Sequence, residues 1–447
     1  MVGAKRPQAA QPAGGIHRRD PLSGALHAIL TQSRRLARIC PRPTRSLPCK
    51  TTLSCLPRRI TTHKHGNMNR EAEKPMTQTP AARKKTLIFH IGDHKTGSTS
   101  IQLAFAQKRV TLDGHSLFYP ARLASNVLGD QCLNYGAAKT PQAQRKAARP
   151  LKNLAAKIRA AETDFVLVSA EALESVPAAL FHEITETFFA DCADEIRIIG
   201  YVRPHAPRLT SSFAERTKVG VPRALQSSLD QFVANKKSGG EFIYLPRFTA
   251  WRTAFGDNFL LRPMIRGALH NGSVVEDFIH HAFGGNPYQL AGEDAANESL
   301  CLEDLMRLKV LQAHLAAPRD LRLKVGWEMA RLIATLPPPQ TRTKLRLHKA
   351  LAEDVRATYL DDARAMDQTF FDGVPLMEND LSAAIDKAGD APQSTDPADH
   401  LSASEIRGLE LMSAMVKSIL ENDEVNWPSF LHQKRLRDVE TALQETT

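Results

Sequence analysis

The sequence predicts an α/β fold. A parallel sheet lies between helices in three layers, and a mainly helical C-terminal region follows. Three observations predict it. Short apolar runs, long enough for a buried strand and too short for a helix, recur at 86–91 (TLIFHI), 165–171 (FVLVSAE), 196–203 (IRIIGYVR) and, more weakly, 258–265 (NFLLRPMI). Helical stretches fall between these runs, the alternation expected of a parallel sheet covered on both faces. After about residue 290 the strand signal stops and amphipathic helical spacing takes over.

Residues 1–83 carry no sustained periodicity and are rich in Pro, Arg, Ser and Thr. Such a segment buries too little apolar surface to offset the entropy of ordering, so it is predicted to be a disordered basic extension. Its Arg-rich, acid-poor start also resembles an organellar transit peptide. The abrupt change of composition near Met68 favours a third reading, an over-extended start with Met68 or Met76 as initiator.

Order is predicted to begin at Thr86, and 84–290 reads as the α/β core. A helix is expected from about Ser98 to Val110, with Ile101 and Phe105 one turn apart and Gly114 just beyond, where the chain must turn. Further helices are expected at 152–162 and 177–189. In the region 291–447 they are expected at 302–316, 341–357, 404–421 and 430–444. Ser402 and Glu405 form a capping box at the head of the third, and the polar stretch 386–400 reads as a loop.

Of 447 residues, 59 are Lys or Arg and 48 are Asp or Glu, a net charge of +11. Residues 1–67 alone hold 13 basic groups and one acid, Asp20, so the remainder is close to neutral at −1. The folded part therefore gives no electrostatic reason to expect a specific nucleic-acid partner. No run of 18 or more apolar residues exists, so no membrane-spanning helix is expected. Six cysteines lie without CxxC pairing or zinc spacing; neither a disulfide framework nor a metal is expected, and a reducing cytoplasm fits.

The segment 89–102, FHIGDHKTGSTSIQ, carries the strongest chemical signal. A strand feeds a loop containing Gly92 and Gly97, which opens a helix at Ser98. Backbone N–H groups of such a loop and of the helix N-terminus face an anion, and the helix dipole favours its charge. The glycines permit close backbone approach, and Ser98 and Thr99 add hydroxyl donors. The design is P-loop-like, and Gly92 and Gly97 keep the spacing of GxxxxGK[ST]. The position after the second glycine is Ser98, however, and the lysine, Lys95, lies inside the loop.

With HKTGSTS (94–100) at the end of a first strand, the chain resembles the 3′-phosphoadenosine-5′-phosphosulfate (PAPS) dependent sulfotransferases, closest to the bacterial and carbohydrate-type branch. The resemblance implies that Lys95 meets the bridging oxygen between sulfate and 5′-phosphate, and that Thr96, Gly97, Ser98 and Thr99 hold the 5′-phosphate. That family also has a strand-end Arg followed eight residues later by a Ser, for the 3′-phosphate. Here IIGYVRPHAPRLTSSF places Arg203 and Ser211 at that spacing. Pro204 and His205 depart from the usual residues after the Arg, and no RKGxxG motif of the small-molecule branch is present.

The implied reaction is sulfuryl transfer from PAPS, as co-substrate, to a hydroxyl or amine of a small-molecule or glycan acceptor, with no metal required. It needs a general base. Glu171, ending the FVLVSAE run, is the first candidate and reads equally as a structural carboxylate. His94 is the second, with hydrogen bonding inside the loop its favoured role. His90 reads as a core or second-layer histidine, and His205 as lining the 3′-phosphate site or facing solvent. Arg216 and Lys218 read as a solvated face that could guide an anionic acceptor, and Trp251, Trp327 and Trp427 as too dispersed for a sugar platform. Two other readings stay open: a diverged P-loop kinase or other NTP-dependent enzyme, and a non-catalytic nucleotide-binding interaction protein.

Overall fold

A computed structural model describes residues 84–93, 95–292, 300–315, 317–422 and 424–446. The predicted extension 1–83 and the candidate base His94 lie outside the described residues. Strand β1 (Thr86–Ile91) is buried along its whole length and stands at the centre of a five-stranded sheet of order β3-β4-β1-β5-β6. Its neighbours are β4 (Phe165–Ala170) and β5 (Glu195–Val202), both parallel to it, with Phe89 in register with Val168 on one side and Ile198 on the other. The flanks are β3 (Leu117–Phe118) and β6 (Phe259–Pro263), also parallel. A strand of two residues gives no periodic signal, which is why β3 escapes the sequence.

Alternation along the central strands divides the core into two faces. Ile88, Leu167, Ile199 and Tyr201 pack with Ile101 and Phe105 of α1 (Ser98–Ala106). Helices α2 (Val127–Gly136), α3 (Pro141–Ala160), α4 (Ala178–Phe188), α5 (His205–Lys218), α6 (Pro222–Gln226), α7 (Leu229–Ser238) and α8 (Leu245–Phe255) follow in order. Leu128, Leu151, Phe181, Leu209 and Trp251 from this group pack with Leu87, Phe89, Ile91 and Val166 on the opposite face. Helix α9 (Val274–Ala282) returns to the α1 face through Phe278 and Ile279. The three layers are thus helix, sheet and helix.

Two predicted boundaries move within the α/β core. The first helix ends at Ala106 rather than Val110, because Val110 opens β2 (Val110–Leu112), which pairs antiparallel with β7 (Tyr288–Leu290). Helix α3 starts at Pro141, not 152, with Thr140 capping its first turn by accepting from Ala143 N. Its first half is polar and exposed and contains Pro150, so only the apolar second half is periodic.

The C-terminal region holds α10 (Leu302–Leu315), α11 (Arg319–Ile333), α12 (Lys349–Phe370), α13 (Leu376–Asp386), α14 (Ala403–Leu420) and α15 (Trp427–Thr446). The helix expected at 341–357 begins only at Lys349. Before it, Thr343 is held beside the start of α10, accepting from Leu302 N at 2.8 Å and donating to Glu303 Oε2 at 3.0 Å. That tertiary pairing overrides local helix propensity. The Ser402/Glu405 capping box is present: Ser402 Oγ accepts from Glu405 N and Glu405 Oε2 from Ser402 N. Leu305, Met306, Val355, Tyr359 and Met366 join the same apolar cluster as Leu87 and Phe89, so one core spans both stretches of sequence. Among the described residues, no helix is long and apolar enough to cross a membrane.

Candidate functional site

From the end of β1 the chain leads toward β3 and β4; from the end of β5 it leads to β6 on the opposite side. The carboxyl ends of these two adjacent strands therefore form a topological switch point, where open α/β sheets bind ligands. The loop bearing Lys95 leaves β1 there, and Arg203 is the first residue after β5.

Both glycines of the loop are required by protein neighbours. A Cβ on Gly92 would lie 2.6 Å from Glu171 Cγ and 2.7 Å from Glu171 Cα, so the start of the loop packs on the turn after β4. Gly97 has φ +83°, and a Cβ there would meet Val274 Cγ1 of α9 at 2.8 Å. Thr96 is fully buried, and its hydroxyl donates to Asp93 O at 2.5 Å, so its side chain braces the loop instead of facing outward. Ser98 and Thr99 behave differently. The N-terminus of α1 has no side-chain cap, Thr99 is exposed, and the buried Ser98 Oγ has no hydrogen-bond partner. Open helix N–H groups beside an orphaned hydroxyl fit an oxyanion.

The two motifs meet. Arg203 Nη1 donates to Lys95 O at 2.8 Å and to Ser211 Oγ at 3.2 Å. Lys95 itself has φ 71°, a left-handed backbone for a non-glycine residue, and the arginine holds its carbonyl in place. Tyr244 O–H donates to Arg203 O at 2.9 Å and anchors the strand end. Among the described residues no carboxylate pairs directly with the Arg203 guanidinium, which leaves planar donors for an anion.

The Lys95 side chain reaches α5. Its Nζ lies 2.9 Å from Glu215 Oε2, which also takes Lys218 Nζ at 2.6 Å, while Glu215 Oε1 accepts from Trp327 Nε1 at 3.0 Å. Burial alone would raise the Glu215 pKa, but Lys95 and Lys218 outweigh it and bring it down to about 2. Lys218 therefore belongs to the site and not to a solvated face. Arg216, near Glu241 and over the Phe232 ring, does not. The three tryptophans also separate: Trp327 enters the site through Glu215, Trp251 is buried in the core, and Trp427 packs on the C-terminal cluster. Sequence reasoning overlooked Glu215, although a signal existed, since it follows Ser211 by four residues on one helical face. Nothing in the spacing pointed to Trp327.

Beneath the loop lies a buried ionic network that the sequence also hid. Asp93 Oδ1 meets Arg208 Nη2 at 3.0 Å and Arg247 Nη2 at 3.3 Å, and Glu174 Oε1 meets Arg247 Nη1 at 3.0 Å. Burial foremost raises the Asp93 pKa, Glu174 adds to the rise, and the two arginines oppose it. His205 neither stands open beside Arg203 nor faces solvent. It is fully buried, stacked on Tyr359 at 4.9 Å, and bonded to Asp362 Oδ2 at 3.0 Å. Pro204 is the N-cap of α5, so the helix begins at His205, two residues after Arg203, and carries the ring into the core. His90 is a core histidine, bonded through Nδ1 to Ser169 Oγ at 2.8 Å, and burial lowers its pKa to about 3.

Glu171 opens the turn after β4, with its N–H donating to Asn126 Oδ1 at 2.8 Å and its backbone against Gly92. It stands at the same carboxyl edge as Lys95 and Arg203. Among the described residues, no group of three or more His, Cys, Asp or Glu side chains is arranged to hold a metal ion. Comparison with protein families, with curated proteins and with solved structures found no match to the chain.

Proposed function

We propose that the chain is a PAPS-dependent sulfotransferase with a P-loop-like core, delivering a sulfuryl group to a hydroxyl or amine of a carbohydrate or related metabolite. One observation carries the reading. Arg203 bonds at once to the Lys95 carbonyl and the Ser211 hydroxyl, so the loop after β1 and the Arg–Ser pair after β5 form one edge. A donor with phosphates at two positions needs two such anion sites side by side.

In this reading the N–H groups at the start of α1 and the Ser98 hydroxyl hold the 5′-phosphate, and Arg203 with Ser211 holds the 3′-phosphate. Bound PAPS supplies the activated sulfuryl group, whose bond to the 5′-phosphate oxygen breaks as the acceptor oxygen bonds to sulfur. Lys95 stabilises the charge that collects on the departing phosphate oxygen. Only one of its three N–H donors is needed for Glu215. Glu171 accepts the acceptor's proton. The buried free thiols of Cys132, Cys192 and Cys301 support a reducing, cytoplasmic setting as part of the proposal.

Calorimetric titration with adenosine-3′,5′-bisphosphate, beside 5′-AMP and ATP with magnesium, tests the donor. Binding that requires the 3′-phosphate, and weakens about 10- to 100-fold in Arg203→Ala, is expected. Preference for ATP with magnesium would replace the reading with a diverged phosphoryl-transfer enzyme.

A further inference from the structure

Two cations beside the Lys95 site have no direct carboxylate partner among the described residues. Arg435 of α15 places its guanidinium carbon 5.4 Å from the centre of the Trp327 ring, and Lys324 of α11 places its Nζ 5.5 Å from it. Neither side chain makes a hydrogen bond or ion pair among the described residues, although both are half-buried. The carboxylates acting on Arg435 are Glu328, Glu171 and Glu215. Glu328 and Glu215 are engaged by other cations. Glu328 binds Arg331 at 2.8 Å and Lys434 at 2.8 Å, and Glu215 holds Lys95, Lys218 and Trp327.

Like charges therefore gather with no carboxylate in direct contact among the described residues. Burial lowers the Lys324 pKa, and Arg435 lowers it further against a partial offset from Asp320. His432, one turn before Arg435 on α15, is lowered by burial and then by Lys324, Arg435 and Arg122. Holding uncompensated cations together in a half-buried place is unfavourable unless a ligand supplies the charge. Their location adds the second observation. Trp327, which carries both cations, is hydrogen-bonded to the carboxylate that grips Lys95, and Arg435 lies within electrostatic reach of Glu171.

We propose that Arg435 and Lys324 form the acceptor subsite, and that the acceptor carries an anionic group, a carboxylate or a sulfate ester, on a hydroxylated ring. The inference rests on the transfer reading for the word acceptor; the anion subsite itself does not. The C-terminal helices α11 and α15 then supply acceptor choice, while the α/β core supplies the donor site.

The test titrates the full chain, by ligand-observed NMR, with methyl β-D-glucuronide, methyl β-D-glucoside 6-sulfate and uncharged methyl β-D-glucoside. At least one anionic glycoside is expected to bind about tenfold more tightly than the neutral one, and which of the two does so identifies the group. That preference is expected to disappear in Arg435→Gln and to shrink in Lys324→Gln. Equal binding of all three, or a preference that survives both substitutions, would overturn the subsite. Adenosine-3′,5′-bisphosphate affinity is expected to be unchanged in Arg435→Gln; a parallel loss would assign the two cations to the donor and overturn the acceptor role. If the bisphosphate fails to bind the unaltered chain while the Arg435-dependent preference persists, the sulfuryl-transfer reading fails and the anion subsite stands.

Discussion

Arg203 and Lys95, 108 residues apart in the chain, are joined by a 2.8 Å hydrogen bond from the arginine guanidinium to the lysine carbonyl. The bond crosses from the end of one central strand to the loop after its neighbour, and it holds a lysine whose backbone is left-handed. The same Nη1 reaches Ser211, so one planar group sets the spacing of loop, strand end and helix.

Arg203→Lys tests whether that planar fork matters beyond its charge. An ammonium cannot serve the Lys95 carbonyl, Ser211 and a phosphate with the fixed geometry of a guanidinium. Affinity for adenosine-3′,5′-bisphosphate is expected to fall about tenfold, with little change in melting temperature. A lysine variant that binds as tightly as the parent would show that charge alone suffices.

Lys95→Ala removes the lysine that the loop offers to a leaving oxygen. Glu215 keeps Lys218 and Trp327 as partners, so the α5–α11 contact and the fold should persist. Donor-dependent product formation is expected to drop about 10²–10³-fold, the scale of losing one preorganised electrostatic group. Circular dichroism checks the fold, and unchanged turnover would remove Lys95 from the mechanism.

Gly97→Ala combines two costs. A left-handed backbone at φ +83° costs an L residue roughly 1–2 kcal/mol, and the new methyl would lie 2.8 Å from Val274 Cγ1. Urea denaturation should show a loss of at least this size. Adding Val274→Ala should recover only the steric part, leaving the backbone part. Full recovery in the double variant would mean that the left-handed conformation is not needed.

The central strands were legible because burial on both faces makes each an unbroken apolar run: 86–91, 165–171 and 196–203 all fall on strands. The edge strands were faint or invisible because β3 is two residues long and β6 exposes Leu260. Periodicity found α10, α14 and α15. It misplaced α12, whose preceding segment is held through Thr343 by Leu302 and Glu303, and it passed over α11 and α13. At the site, Arg203 and Ser211 were readable from spacing and are in contact. The partners that give Lys95 its setting were not, since Glu215 and Trp327 meet it only through tertiary packing. Likewise Asp93 stands within the quoted motif, yet Arg208 and Arg247, which neutralise it, come from two different helices.

Glu215 gives the site a signature in pH. Its carboxyl titrates near 2 in the folded chain, with Lys95 and Lys218 overcoming the effect of burial, against 4.5 ordinarily. A depressed carboxylate contributes stability that is fully present above the unfolded value and is lost as pH falls toward the folded one. The contribution should therefore be complete at pH 6 and fade between about pH 5 and pH 2, amounting to roughly 3 kcal/mol at most. Glu215→Gln cannot titrate and leaves Lys95 and Lys218 without their shared anion. The difference in unfolding free energy between parent and variant, measured by denaturant titration, should be largest at pH 6 and should narrow steadily toward pH 3. A difference that stays constant over that range would mean that the carboxylate is not held low, and that Lys95 is positioned by something other than Glu215.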